Sequence, residues 1–135
     1  LAMAVGMDEG LLVPVVHRAE KLGLVDLMLR LKDITERAVG KKLTPQDQEG
    51  STFTISNLGM YGVESFTSII NQPNSAILSI AGTKEMPVVR NGEVVIRPIM
   101  KMSLTSDHRV INGLGAAKFM QELKATLESP LPLLV

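Results

Sequence analysis

Val88-Val89-Arg90-Asn91-Gly92-Glu93-Val94-Val95-Ile96-Arg97 reads as two β-branched arms around a two-residue turn. Asn and Gly both accept the positive φ that a tight hairpin needs, so 88–90 and 94–97 are expected to be antiparallel strands. Upstream, Ala76 to Gly82 is a buried-type apolar run, bounded before it by Asn71-Gln72-Pro73. Downstream, Ile99 to Leu104 continues the second arm with alternating apolar positions. These segments predict that the second half of the chain is organised around a sheet.

Further out the pattern is mixed. Leu1 to Val5 and Leu11 to Val16 read as strands joined by a turn at Gly6, Asp8, Glu9 and Gly10. From Leu24 the apolar spacing lengthens: Leu24, Leu27, Met28, Leu31, Ile34 and Thr35 recur every three or four residues, which predicts an amphipathic helix ending near Gly40. Lys41 and Lys42 follow, where cations suit the negative end of a helix dipole. Thr44-Pro45-Gln46-Asp47 has the form of a cap and a short helical turn. Thr52 to Ser56 is a β-branched strand stopped by the glycines of Asn57-Leu58-Gly59-Met60-Tyr61-Gly62, and Phe66 to Ile70 is read as a short strand or turn. A last helix is expected from Asn112 or Gly113 to just before Pro130, with Leu114, Ala117, Phe119, Met120 and Leu123 turned inward. Two helices and about seven strands make an α/β sandwich of mixed sheet and helices.

Composition narrows the functional classes. Lys plus Arg and Asp plus Glu stand at 14 each, so bulk charge provides no attraction to nucleic acid or to an anionic membrane. The absence of cysteine removes disulfides, thiolate metal sites and a sulfur nucleophile together, and it fits a reducing cytoplasm. No apolar run approaches the roughly 20 residues that span a bilayer, and the first residues lack the flanks of a signal peptide, so a soluble protein is expected. Leu1 to Val5 already reads as a strand, which suggests a piece of a longer chain. The eight methionines are read as flexible core filling.

The densest chemistry lies in Ser103-Leu104-Thr105-Ser106-Asp107-His108-Arg109-Val110-Ile111-Asn112-Gly113, a strand running into a helix start. Such a junction exposes side chains at a sheet end while rigid elements hold them, as a general base requires. Of the two histidines only His108 is placed this way; His17 precedes a charged turn and reads as a surface residue. His108 is therefore either functional or a satisfied structural histidine. Asn112 suits a helix cap or a hydrogen bond that holds the loop. Asp107 and Arg109 form a local ion pair on this reading, and Ser56 a turn-forming hydroxyl. No Gly-x-Ser-x-Gly elbow surrounds Ser56, and the sequence has no phosphate loop, dinucleotide fingerprint or metal-ligand spacing.

Asp107-His108-Arg109-Val110-Ile111-Asn112-Gly113 resembles the His-x-x-x-Asp-Gly signature of dihydrolipoamide acyltransferases and their relative chloramphenicol acetyltransferase. Phe53-Thr54-Ile55-Ser56-Asn57-Leu58-Gly59 and Ile69-Ile70-Asn71-Gln72-Pro73 with Ala76-Ile77-Leu78 resemble two more segments of the lipoamide family, in its order. Asn112 departs from the Asp of most members, which removes a carboxylate relay there but leaves a hydrogen-bonding group.

The resemblance implies a chloramphenicol acetyltransferase-like α/β sandwich. Residues 1–135 would be the C-terminal part of the catalytic domain, without lipoyl domain, subunit-binding domain or the upstream segment lining the coenzyme channel. It implies a homotrimer assembling into a larger core, with the decarboxylase and dihydrolipoamide dehydrogenase components as partners and coenzyme A and a lipoyl group as substrates. His108 of one subunit would be the general base, Ser56 of its neighbour the oxyanion donor, and Asn112 would steady the histidine loop. The Asn57 to Gly62 segment resembles the acetyl-transferring branch that serves pyruvate dehydrogenase. Succinyl, branched-chain or acetoin-derived transfer, a non-catalytic trimeric core and an antibiotic acetyltransferase remain the alternatives.

Overall fold

The computed structural model describes residues 1–7 and 9–133. Its strands are β1 (Ala2–Met7), β2 (Gly10–Leu12), β3 (Thr54–Asn57), β4 (Ala76–Arg90) and β5 (Glu93–Ser106); its helices are α1 (Leu24–Val39) and α2 (Gly113–Glu128). They form one mixed sheet in the order β2-β1-β3-β4-β5, in which β1, β3 and β4 run parallel and the two outer strands antiparallel to their neighbours.

The central hairpin is present, with Asn91 and Gly92 at φ 52° and 82°. The first arm is longer than the sequence predicts, and this, together with the lack of a strand at Phe66 to Ile70, changes the strand count from about seven to five. Segments 76–82 and 88–90 belong to one fifteen-residue strand, and 94–97 and 99–104 to one fourteen-residue strand. Pro87 and Pro98 do not interrupt them, because beyond Gly82 the hairpin is a two-stranded ribbon whose outward backbone groups need no ladder partner. A bulge at Ala81 and Gly82 marks where the ribbon leaves the sheet.

Phe66 to Ile70 has no regular structure. Leu11 to Val16 supplies only the short β2 and an isolated bridge from Val15 to Ala2, since Pro14 lacks the N–H to continue a ladder. Asp8, placed by the sequence in the turn before β2, lies outside the described residues.

The core sits where the first halves of β3 and β4 meet β1: Ala2, Val15, Val16, Ala76, Ile77, Leu78 and Ala81 are buried, as are Ile34 and Ala38 of α1. Along α1 the inward stripe is Leu27, Leu31, Ile34, Thr35 and Ala38, while Leu24 and Met28 face outward. The turn after α1 is tied by Arg37, whose guanidinium donates to both carboxylate oxygens of Asp47 (2.6 and 3.0 Å). Asp47 also accepts from the backbone and hydroxyl of Thr44, and these bonds hold its carboxyl well below the usual range.

The expectation for α2 fails in one respect. The helix begins and ends as predicted, but it buries no residue, and Leu114, Ala117 and Phe119 are exposed. Periodicity gives a helix an apolar face without saying that the same subunit covers it. Phe119 packs on Phe53 with ring centroids 5.9 Å apart. Farther along, α2 and β5 leave between them a groove of about 720 Å³ lined by Met100, Met102 and Met120. The whole chain exposes 9772 Å², against about 6,900 Å² for a compact monomer of its 14.6 kDa mass. Large apolar side chains, among them Val25, Ile69, Val94 and Leu114, are exposed.

Candidate functional site

His108 stands on a turn that fixes its backbone from both sides. Where β5 ends, the Asp107 N–H donates to Ser75 O (2.8 Å), pinning the turn beside the start of β4. The Asp107 carbonyl accepts from Val110 N (3.1 Å) and Ile111 N (2.9 Å), closing the turn around His108. The Asp107 carboxylate accepts from Arg109 N (3.0 Å), the Asx-turn bond that a short acidic side chain makes two residues on.

The ion pair read from the sequence is formed: Arg109 Nε lies 3.0 Å from both Asp107 oxygens and Nη2 2.6 Å from Oδ2. The guanidinium, and then the Arg109 N–H, pull the Asp107 carboxyl down to about 2. Asp107 and Arg109 are thus committed to one another. The exposed imidazole between them is left to face outward.

Asn112 makes the cap that was one of its two readings. Its Oδ1 accepts from Gly115 N (2.8 Å), and its carbonyl accepts from Ala116 N (3.1 Å) to start α2. The cap fixes the exit of the His108 turn to a sixteen-residue helix, as the Ser75 bond fixes its entrance.

Ser56 is half-buried near the end of β3, opposite Ala4 on one side and Ser79 on the other. Beyond it, Asn57 Oδ1 accepts from Gly59 N (2.8 Å), and residues 59–61 form a single 3-10 turn closed by Gly62 at φ 70°. Gly82 N donates to Val63 O (2.8 Å), docking this loop on the bulge of β4.

Within one subunit Ser56 and His108 do not meet. Ala76 pairs with Ser106 while Ser79 pairs with Ser103, so Ser56 sits three residues along the sheet and two strands across from the foot of the histidine turn. That is roughly 10 Å in each direction. His17 is on the surface as read, its Nε2 3.1 Å from Gln46 O.

Sequence reasoning missed two polar clusters under this sheet. Asn74 is buried, accepts from Ser51 and donates to the Thr54 hydroxyl, tying the loop before β4 to β3. Ser79 is 1% exposed and shares a 2.7 Å hydrogen bond with Ser68. The signal was a hydroxyl in the middle of Ala-Ile-Leu-Ser-Ile-Ala.

The family described as 2-oxoacid dehydrogenases acyltransferase (catalytic domain) matches residues 1–135. The chain is similar, at 38% identity over all 135 residues, to the dihydrolipoyllysine-residue acetyltransferase component of the pyruvate dehydrogenase complex of Rickettsia felis, covering 33% of that protein. It is 41% identical to the mitochondrial succinyltransferase component of the 2-oxoglutarate dehydrogenase complex of Saccharomyces cerevisiae, covering 29% of it. The chain thus spans about a third of the length of these curated relatives. Among solved structures, the dihydrolipoamide acetyltransferase of Azotobacter vinelandii, studied for the role of a serine, a histidine and an asparagine in its catalytic mechanism, superposes with a TM-score of 0.94 at 36% identity. That match covers 99% of this chain and 55% of the other. On its sequence and its fold alike, this chain belongs to the 2-oxoacid dehydrogenase acyltransferases, in the region of their catalytic domain.

Proposed function

We propose that this chain carries catalytic residues of an acyltransferase that moves an acetyl group between dihydrolipoamide and coenzyme A in a pyruvate dehydrogenase complex. One observation carries the reading. Ser56 precedes His108 by 52 residues and Asn112 follows it by four, and the same intervals separate the serine, histidine and asparagine of the Azotobacter vinelandii enzyme.

In this reading His108, held by its turn and free of the Asp107–Arg109 pair, accepts the thiol proton of coenzyme A. The thiolate attacks the thioester carbonyl of the acetylated lipoyl group. Ser56 from an adjacent copy donates a hydrogen bond to the oxyanion. Collapse expels the dihydrolipoamide thiolate, which recovers the proton from the imidazolium, so His108 ends neutral. Asn112 keeps the turn in register by capping α2.

The lipoyl group would arrive on a domain outside these 135 residues, which we read as the C-terminal part of the catalytic domain. A homotrimer built into a larger core, with decarboxylase and dihydrolipoamide dehydrogenase as partners, belongs to the same reading and would give cover to exposed apolar side chains such as Leu114 and Val94. No helix among the described residues is long and apolar enough to cross a membrane. A cysteine-free chain suits the bacterial cytoplasm, the location this reading assigns.

The test is His108→Ala in the full-length protein. An exposed side chain can be removed with the fold intact, and losing a general base should lower transfer by about 10²- to 10⁴-fold; an unchanged rate would eliminate His108. Because identity to a succinyltransferase component is as high as 41%, the assay should compare acetyl-CoA with succinyl-CoA and branched-chain donors. A preference for one of those would replace the acetyl assignment and keep the mechanism.

A further inference from the structure

Ser79 is an unexpected residue where it stands. It is 1% exposed, in a strand whose neighbours Ile77, Leu78 and Ala81 are buried as well, and a hydroxyl buried there costs free energy unless it is hydrogen-bonded. Its partner is Ser68, at 2.7 Å, from the irregular segment that lies over this face of the sheet. The register sets Ser79 directly opposite Ser56 on β3 and Ser103 on β5, so the three side chains share one face in a row.

We propose that Ser68 and Ser79 position the Ser56 hydroxyl, as successive links of a hydroxyl chain that ends on the oxyanion. The proposal rests on the reading of Ser56 as oxyanion donor. A serine hydroxyl offers one donor and two acceptor sites, and the bond to Ser68 occupies only one of those on Ser79. In this structure Ser79 is bonded to Ser68 and not to Ser56; neighbouring strands lie about 4.8 Å apart, a gap that two serine hydroxyls bridge once their rotamers face one another.

With Ser68 donating to Ser79 and Ser79 donating to Ser56, the only proton left to aim outward is that of Ser56. Each link also polarises the next, which strengthens the terminal donor as negative charge builds on the acyl oxygen. Ser79 and Ser68 touch no substrate in this arrangement; they act through Ser56.

Acetyl transfer by the full-length protein tests this with a double-mutant cycle. Ser56→Ala should lower kcat by about 10²- to 10³-fold, as removal of one oxyanion donor does. Ser79→Ala should lower kcat by about 3- to 10-fold, leave the KM for coenzyme A unchanged, and have less than about a twofold effect once Ser56 is already alanine. Ser103→Ala, which removes the hydroxyl on the far side of Ser79, should change kcat by less than about twofold and serves as the control.

Effects of Ser56→Ala and Ser79→Ala that simply multiply would overturn the hydroxyl chain while leaving Ser56 its role. A Ser56→Ala protein with unchanged kcat would remove the oxyanion assignment and the chain with it. Should Ser79→Ala fail to assemble, Ser68→Ala gives the same test from the irregular segment. It should lower kcat about 2- to 5-fold and likewise fall silent beside Ser56→Ala; a multiplicative loss there also overturns the chain.

Discussion

Replacing Asn112 separates the cap from everything else at the histidine turn. Asn112 Oδ1 satisfies Gly115 N at 2.8 Å, and the first turn of α2 has no acidic residue to assist it. Asn112→Ala should therefore cost about 1 kcal/mol, a fall of about 3 to 5 °C in melting temperature for a unit of this size. Asn112→Asp keeps an acceptor in place and adds negative charge at the positive end of the dipole, a gain of about 0.3 to 1 kcal/mol at neutral pH. That gain should disappear in acid, where the carboxyl protonates. Circular dichroism melts at one fixed protein concentration would measure all three proteins, because assembly makes the midpoint concentration-dependent. An alanine variant that melts with the parent, or an aspartate variant that falls as far as alanine, would refute the cap as the anchor of this turn.

Other consequences concern the turn itself and the loop after β3. Asp107 is held at about 2 by Arg109, so its pairing is present above the unfolded value near 3.9 and is lost as pH falls from about 4 through 2. A carboxyl NMR titration should show this low midpoint, and Arg109→Gln should raise it; a midpoint near 4 in the unmodified protein would contradict the pair. At Gly59 an added Cβ would meet Asn57 Oδ1 at 3.0 Å and the Ala81 carbonyl at 3.1 Å, so Gly59→Ala should destabilise by about 1 to 3 kcal/mol. Gly113, with nothing within 4 Å of its added Cβ, is the control: alanine there should be neutral or stabilise by up to about 1 kcal/mol. Equal melting shifts for the two glycines would show that the crowding at Gly59 is not real.

The sequence disclosed local geometry better than it disclosed what covers it. Asn91-Gly92 located the hairpin because its requirement for positive φ is met by few residue pairs. The stripe from Leu24 to Thr35 locates α1, although Leu24 and Met28 face outward, and Asn112 locates the start of α2. The length of β4 is not legible, because Pro87 stands between the two segments 76–82 and 88–90 and only the pairing shows that it lies on a ribbon free to accept it. Leu114 and Phe119 fall on the apolar stripe of α2 yet are exposed, because amphipathicity marks an apolar face without naming its partner.

The candidate site was legible in the same uneven way. The place of His108 between a strand and a helix makes it a candidate while leaving a structural histidine open, and its Asp107–Arg109 frame follows from adjacency. The role proposed for Ser56 rests on the family resemblance, since its own surroundings read as a turn. Ser79 escaped notice because single-sequence patterns treat a lone serine in an apolar strand as noise, whereas the register puts it opposite Ser56.

Mixing two inactive variants tests most directly whether the site is divided between copies. In the proposed function each site takes its imidazole from one copy and its hydroxyl from the next, because within one subunit the register sets Ser56 two strands and three residues away from the foot of the His108 turn. Subunits carrying Ser56→Ala and His108→Ala, co-assembled in equal amounts, should regain about a quarter of the parent's acetyl transfer, because one interface in four then joins an intact His108 to an intact Ser56 in a closed ring. Mixed assemblies that remain as inactive as either variant alone would contradict the account.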